Sequence, residues 1–403
     1  MTVCDSTCNL FAKGYILLIA IVGGGLQGLE VAYLSKKAGW ETMVLDKASD
    51  APAKGLADTF IQIDICQIKR ASVHLEQADL VLPALENYNA LEALHLWQKI
   101  SNIPVCFDLK AYTVSSSKQK SNALFSRLNI PRPLGWPQCG FPVVMKPSNG
   151  SGSQGVHIIS SKAQRPKLFD TQYPKDQWVV EEYINGPSYS LEIVGNPDRY
   201  ETLQVTELLM DENYSCKRVI APAAIELELA RRFELSAKII AHDMKLNGIM
   251  DFEVILHKGE MKMLEIDARF PSQTPMAVYS STGVNMFEIL ANLALHQKLG
   301  SPFLPEKPDH AIVEHIHVCP QGIALKGETI MKTCGPLHLE TGFWGADEAV
   351  TSFVPGCSSW VATLIIKGKT SQETWEKRNQ ILKELSHRFN LPLLPDINPY
   401  DFS

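Results

Sequence analysis

Four carboxylates, Asp251, Glu253, Glu265 and Asp267, have the types and the spacing to hold a hard cation between them. They fall in the stretch 248–275, GIMDFEVILHKGEMKMLEIDARFPSQTP, which reads as two strands joined at a Lys258-Gly259 turn. Side chains alternate between the faces of a strand, so Asp251 and Glu253 share one face, as do Glu265 and Asp267. Opposed residues of antiparallel strands point the same way. If Glu253 lies opposite Glu265, then Asp251 lies opposite Asp267 and four acids crowd one side. Such like charges destabilise a sheet unless something neutralises them. Carboxylate oxygens suit Mg²⁺, which takes one or two of them together with substrate phosphates. A plain two-residue loop would instead pair Glu253 with Leu264 and put Glu253 and Glu265 on opposite faces. A shared site therefore requires an odd loop or a bulge, and one is expected here. Arg269 follows two residues after Asp267, with Ser272, Gln273 and Thr274 in the loop behind it.

The elements that must position this hairpin begin with a β-α-β pattern over 16–46. Its turn, Gly23-Gly24-Gly25-Leu26-Gln27-Gly28, satisfies G-x-G-x-x-G, and Asp46 ends the second strand. Glycines let backbone approach a phosphate at a helix N-terminus, and an acid at that position can hold a ribose. An NAD(P)-dependent oxidoreductase is the rival reading, but no later stretch offers a hydride site. Strands are expected at 59–65 and 79–83. Glu86 sits just after the second, where α/β sheets bind ligands, as a candidate partner for a ligand amine or as a helix N-terminal acid. This part closes near residue 110.

Serines at 115–117 cap a helix that begins at Lys118. A strand over 141–146 ends in Lys146, and the Gly/Ser-rich loop 148–156 follows; its N–H groups suit phosphates, though its order is not that of a P-loop. A strand over 177–180 leads to Glu181, Glu182, Tyr183 and Ile184, a composition that suits an adenine edge and a ribose. Helices are expected at 225–246, 284–298 and 372–389. In the strand 311–318, Glu314 shares a face with Ile312, Ile316 and Val318. An acid on an apolar face needs a partner, so Glu314 is either a substrate-amine ligand or an acid paired within the protein.

The 403 residues suffice for two or three domains, and 45% hydrophobic with 20% charged content fits a globular enzyme. A net charge of −6 gives no reason to expect nucleic acid or an anionic membrane as partner. Nine cysteines without a C-x-x-C pair point to reduced thiols and a cytoplasmic setting. The apolar run at 15–22 leads straight into the glycines and reads as a buried strand, with the residues before it an extension.

The ordered set of Lys118, Lys146 with the loop 148–156, Glu181 to Ile184, then Glu253, Glu265, Asp267 and Arg269 resembles the ATP-grasp superfamily. Lys118 lies 13 residues before Pro131, and Glu253 lies 12 before Glu265, spacings that match its members. Over 16–390 the chain is similar to the ligase family of pyrrolysine biosynthesis, through GGGLQG (23–28), AYLSKKAG (32–39), EEYINGPSYSLEIVG (181–195), GIMDFE (248–253) and EIDARFPSQTP (265–275). The resemblance implies an α/β protein, an ATP-grasp fold preceded by a Rossmann-like N-terminal domain. The expected division is an extension or disordered segment at 1–14, the Rossmann-like domain at 15–112, a central subdomain at 113–195 and a C-terminal subdomain at 196–403.

The resemblance also implies ATP and Mg²⁺. It puts Lys118, Lys146, Glu181, Glu182, Tyr183 and Ile184 around ATP, and Glu253, Glu265 and Asp267 on the metal. Arg269 becomes the catalytic group near an activated carboxyl, with Ser272, Gln273 and Thr274 on that substrate. Leu26, Gln27 and Glu86 fall near L-lysine. That family joins the carboxyl of (3R)-3-methyl-D-ornithine to the side-chain amine of L-lysine. The implied partners are therefore small amino acids, D-ornithine type and L-lysine, without nucleic acid or membrane, and a homodimer is the expected assembly. Related enzymes carry a carboxylate just after the residue matching Gly186, whereas this chain has Pro187 and Ser188, leaving Glu182 or Glu192 to serve the ribose or the substrate amine. Relatives also carry a lysine at the position of Gly25.

Overall fold

The computed structural model describes residues 16–150, 155–164, 177–299 and 304–397. The expected extension at 1–14 and the centre of the Gly/Ser loop, 151–154, lie outside the described residues. Three sheets carry the architecture of the described residues. The first is parallel, in the order β3-β2-β1-β4, from β1 (Leu18–Val22), β2 (Glu41–Asp46), β3 (Thr59–Gln62) and β4 (Leu80–Pro83). The apolar run LIAIV makes β1 a central strand, and Ile19 to Val22 are fully buried. The third strand is shorter than its sequence expectation and stops at Gln62.

The glycine turn is used by the protein itself. Gly23 has φ +107, and a Cβ there would fall 2.4 Å from the Ala84 carbonyl oxygen. A Cβ on Gly28 would fall 2.1 Å from the Gly23 carbonyl, so this glycine lets the helix Leu26–Lys37 sit close on β1. The Asp46 carboxylate accepts from Gly24 N at 2.6 Å and Ala48 N at 2.8 Å. It anchors the turn from within the protein.

The second sheet is small and antiparallel, β6-β5-β7, from β5 (Val143–Pro147), β6 (His157–Ile159) and β7 (Trp178–Glu182). The third is large. Its path runs β13-β12-β8-β10-β11-β14-β18-β17-β16, with β9 on β8 and β15 on β14. The strands are β8 (Ser188–Asn196), β9 (Arg199–Thr202), β10 (Thr206–Met210), β11 (Cys216–Ala221), β12 (Gly248–His257), β13 (Glu260–Asp267), β14 (His310–Cys319), β15 (Gly322–Leu325), β16 (His338–Thr341), β17 (Glu348–Thr351) and β18 (Trp360–Gly368).

Burial on the back of this sheet fixes which way the acids face. Phe252, Val254, Met263 and Ile266 of the hairpin pack with Phe233, Ala237, Ile240 and Ala241 of the helix Leu227–Met244. Burying Phe252, at 0% exposure, contributes on the order of 2 kcal/mol. Slipping the strand by one residue would bury its acids and expose that ring, so the register is strongly specified.

Candidate active site

The hairpin has the expected register. Glu253 pairs with Glu265 and Asp251 with Asp267. The loop is two residues, Lys258 and Gly259, with φ of +51° and +80°, as a mirror-image hairpin turn requires. The register then shifts: Val254 pairs with Met263 while Glu253 pairs with Glu265, leaving Leu264 as the extra residue. This bulge brings the two glutamates to one face.

Two adjoining cavities meet at that face. The smaller, about 170 Å³, is walled by Val144, Ile158, Ile184, Val254 and Leu264, with Lys118, Lys146 and Tyr183 among its polar groups. Lys118 follows the N-cap Ser117, whose side chain accepts from Lys120 N, so the cap points Lys118 across the mouth. Its Nζ donates to Gly150 O at 2.7 Å and to Glu265 Oε1 at 2.8 Å. Lys146 Nζ lies 2.6 Å from Glu181 Oε1. Burial opposes the charge on Lys146, but Glu181, then Glu265 and Glu253, outweigh it and hold the ammonium above its usual range. Glu181 also accepts from Asn122 Nδ2 at 3.1 Å; its evident job is to orient Lys146. Glu182 is held by Lys262 Nζ at 2.7 Å. Burial opposes ionisation of Glu182, yet the Lys262 bond and the Leu134 N–H hold it below its ordinary value.

The larger cavity, about 520 Å³, brings together Leu26, Gln27, Glu86, Arg269, Ser272, Gln273 and Thr274 with the four hairpin acids. Arg269 bridges two of its acids, with Nε 2.6 Å from Asp267 Oδ2 and Nη2 3.1 Å from Glu86 Oε1. The buried amide oxygens of Gln27 and Gln273 have no hydrogen-bond partner among the described residues, which marks both as groups built to meet a ligand. Gln273 has φ +75 and donates its N–H to Glu30 Oε1 at 2.6 Å. Glu30 also accepts from Met276 N at 3.2 Å. Burial, above all, pushes the Glu30 carboxyl up to about 8.

Sequence reasoning missed Glu30, Met210, Tyr214, Glu328 and Lys332. The last four line this cavity and arrive from segments with no motif. Glu328 accepts from Ser272 Oγ at 3.1 Å. Glu192, raised above as a stand-in ligand, is fully buried behind the wall and accepts from Ser190 and Thr274 hydroxyls.

Glu314 is corrected. It lies on β14 at 0% exposure, its carboxylate taken by Arg218 and by Arg378, whose Nε and Nη2 donate at 2.9 and 2.8 Å. It lines neither cavity at the hairpin, so the paired-acid alternative holds and a substrate role does not.

The donor chemistry fits a divalent cation on the hairpin. Burial first, then Asp251 and Glu265, push the Glu253 carboxyl well above its ordinary value. A cation relieves that repulsion. Asp267 Oδ1 is buried without a hydrogen-bond partner among the described residues. Those residues hold no ready-made group of three His, Cys, Asp or Glu ligands. Lys118 sits on Glu265 and Arg269 on Asp267, so metal binding requires these ion pairs to loosen. No helix among the described residues is long and apolar enough to cross a membrane.

Comparison with known proteins shows what the chain is similar to. Residues 116–273 match the ATP-grasp domain family. The 3-methyl-D-ornithine–L-lysine ligase of Methanosarcina barkeri is 33% identical over 93% of this chain and 99% of its own length. The ligase of the same name from Methanosarcina mazei is 32% identical over 92% and 96%. The biotin carboxylase of Campylobacter jejuni, solved as a β,γ-ATP complex, superposes with a TM-score of 0.70 at 17% identity, covering 92% of this chain and 91% of that one.

Proposed function

The chain belongs to the 3-methyl-D-ornithine–L-lysine ligase family of ATP-grasp enzymes, and on that premise we propose that it joins a D-ornithine-type carboxyl to the side-chain amine of L-lysine in pyrrolysine biosynthesis. It is an ADP-forming carboxylate–amine ligase. One observation carries the choice of substrates. The smaller cavity, with apolar walls and two lysines, suits a nucleotide and opens through Glu253 and Glu265 into a chamber lined by acids. Six acids on that wall against Arg269 and Lys332 favour cationic diamino acids over bicarbonate or other anions.

Lys118 and Lys146 act as point charges on the nucleotide phosphates. Glu181 keeps Lys146 aimed, and Glu182, Tyr183 and Ile184 border the base and ribose. Glu253 and Glu265, with Asp267 once Arg269 turns to substrate, would hold Mg²⁺, which would supply charge neutralisation at the phosphates. A substrate carboxylate oxygen attacks the γ-phosphorus, the bond to the β-phosphate oxygen breaks, and ADP leaves an acyl phosphate. Arg269 steadies the transferring phosphoryl group and the later oxyanion, because its fork matches such oxygens. A neutral amine attacks the carbonyl carbon, the carbon–oxygen bond to phosphate breaks, and the amide nitrogen gives up its proton. Lysine's ammonium, with an ordinary pKa of about 10.4, must first lose a proton. Glu86, Leu26 and Gln27 orient it, and Ser272, Gln273 and Thr274 hold the carboxyl donor. The domain division set out from the sequence is carried over as part of this proposal, as is a homodimer.

The test is ADP release with D-ornithine and L-lysine, each omitted in turn and bicarbonate added separately. ADP that requires the diamino acids and yields an equal amount of amide supports the reading; ADP that requires bicarbonate instead defeats it.

A further inference from the structure

Among the described residues, five line both cavities: Gly150, Met210, Tyr214, Glu253 and Glu265. Under the proposed reaction, on which this inference rests, the phosphoryl group must cross at this shared edge. Two of the five are the hairpin glutamates and one has no side chain. Bulk on the opposite side comes from Met210 and Tyr214, at the tip of β10–β11.

The backbone that presents Tyr214 is held against its own preference. Tyr214 has φ +58, a left-handed conformation that costs a residue bearing a Cβ roughly 1 kcal/mol. Such strain persists only where the surroundings over-determine it, and it concentrates at functional sites. Here they do. The buried Asp211 carboxylate accepts from Asn213 N at 2.8 Å, Ser215 N at 3.0 Å and Gly327 N at 2.8 Å. Tyr214 N donates to Asp211 O at 3.0 Å, and Asp211 N to Ser215 O at 2.8 Å. Gly327 seals the turn from behind, since a Cβ there would fall 2.2 Å from the Ser215 side chain. Glu212 and Asn213 point outward and are exposed, while Tyr214 is half-buried and faces the junction.

We infer that Tyr214 is the water shield of this ligase: its ring covers one side of the edge shared by the two cavities, where the phosphoryl group crosses, and keeps water from the acyl phosphate until the amine arrives. Water attacking the same carbonyl carbon would expel phosphate and regenerate the carboxylate, so that ATP is spent as ADP and phosphate with no amide formed. A large side chain in a forced conformation at that edge is what denies water the approach. Tyr214 is a positioning residue, and its loss shows in coupling more than in rate.

The experiment measures ADP and amide together, with D-ornithine, L-lysine and ATP, for the wild type, Tyr214→Phe and Tyr214→Gly. The wild type is expected near one ADP per amide, and Tyr214→Phe to stay within about twofold of that. Tyr214→Gly is expected to spend at least about five ADP per amide. Glycine accepts φ +58 without strain, which offsets part of what is lost with the ring, so the same variant should still fold and unfold cooperatively. A Tyr214→Gly protein that folds and stays coupled overturns the inference, as does a Phe variant uncoupled to the same extent, which would assign the effect to the hydroxyl. Wild-type protein that makes no ADP with these amino acids defeats the proposed reaction and the inference with it. Wild-type turnover with a coupled Gly variant defeats the inference alone.

Discussion

Two clusters of acids lie in this molecule, and they are neutralised to very different degrees. Glu314 on β14 is gripped by Arg218 and Arg378. Asp396 joins from the C-terminal segment, 2.8 Å from Arg218 and 2.6 Å from Lys217. Trp375 lies against both guanidinium groups, at 5.1 and 5.5 Å. Every charge there has a partner in the protein. On the hairpin, Asp251, Glu253, Glu265 and Asp267 share one face, and among the described residues only Lys118 and Arg269 are in ion-pair contact with them. Complete internal pairing marks a structural cluster. A deficit of positive charge, facing a cavity, marks a place where ligands must supply the balance.

That contrast breaks first at Glu314. Replacing it with Ala leaves Arg218 and Arg378 buried without their shared counter-charge, and should cost about 3–5 kcal/mol. Urea unfolding reads this directly, and the turnover of the molecules that remain folded should not change. The opposite pattern is expected at Glu265, where Ala should lower turnover by at least about a hundredfold. Its fold should hold, because the side chain is a third exposed and leaves no core cavity. Unaltered turnover in Glu265→Ala would dissolve the distinction.

The two clusters also explain how much could be read from the sequence. Alternation gave the faces of the hairpin acids, and the need to put Glu253 and Glu265 together demanded an irregularity, found at Leu264. Local chemistry sufficed because all four acids lie within one hairpin. Glu314 was ambiguous for the opposite reason. Its partners lie 96 residues before it and 64 after it, and no alternation within one strand can name cations that distant. Glu30 escaped for the same cause. It sits in a helix that follows a glycine turn, and its role at the N–H groups of Gln273 and Met276 exists only once the first sheet packs against the loop after the hairpin. Tyr214 carried no sequence signal because its left-handed backbone is imposed by Asp211 and Gly327.

A pH dependence sharpens the comparison next. Glu30, Glu192, Asp267 and Asp251 are pushed up, to about 8, 8, 7 and 6, chiefly by burial. Each binds its proton more tightly folded than unfolded. Their contribution to stability should therefore be greatest below the ordinary carboxylate range and fall as pH rises through it toward 8. In chelator, Tm is expected to drop by several degrees between pH 5.5 and 8, with Glu30→Gln showing a smaller drop. A Tm that rises over this interval contradicts the picture of under-neutralised acids. The smallest effect is expected at the exposed Arg127–Asp243 pair, where Arg127→Ala should leave both Tm and turnover unchanged within error.

The most direct test follows an oxygen atom. With D-ornithine labelled with ¹⁸O in its carboxylate, L-lysine and ATP, activation through an acyl phosphate transfers one labelled oxygen to the released phosphate for each amide formed. Mass spectrometry of the phosphate should show that single label. Unlabelled phosphate accompanying amide formation would show that the carboxyl is not phosphorylated, and would contradict the mechanism built on the hairpin.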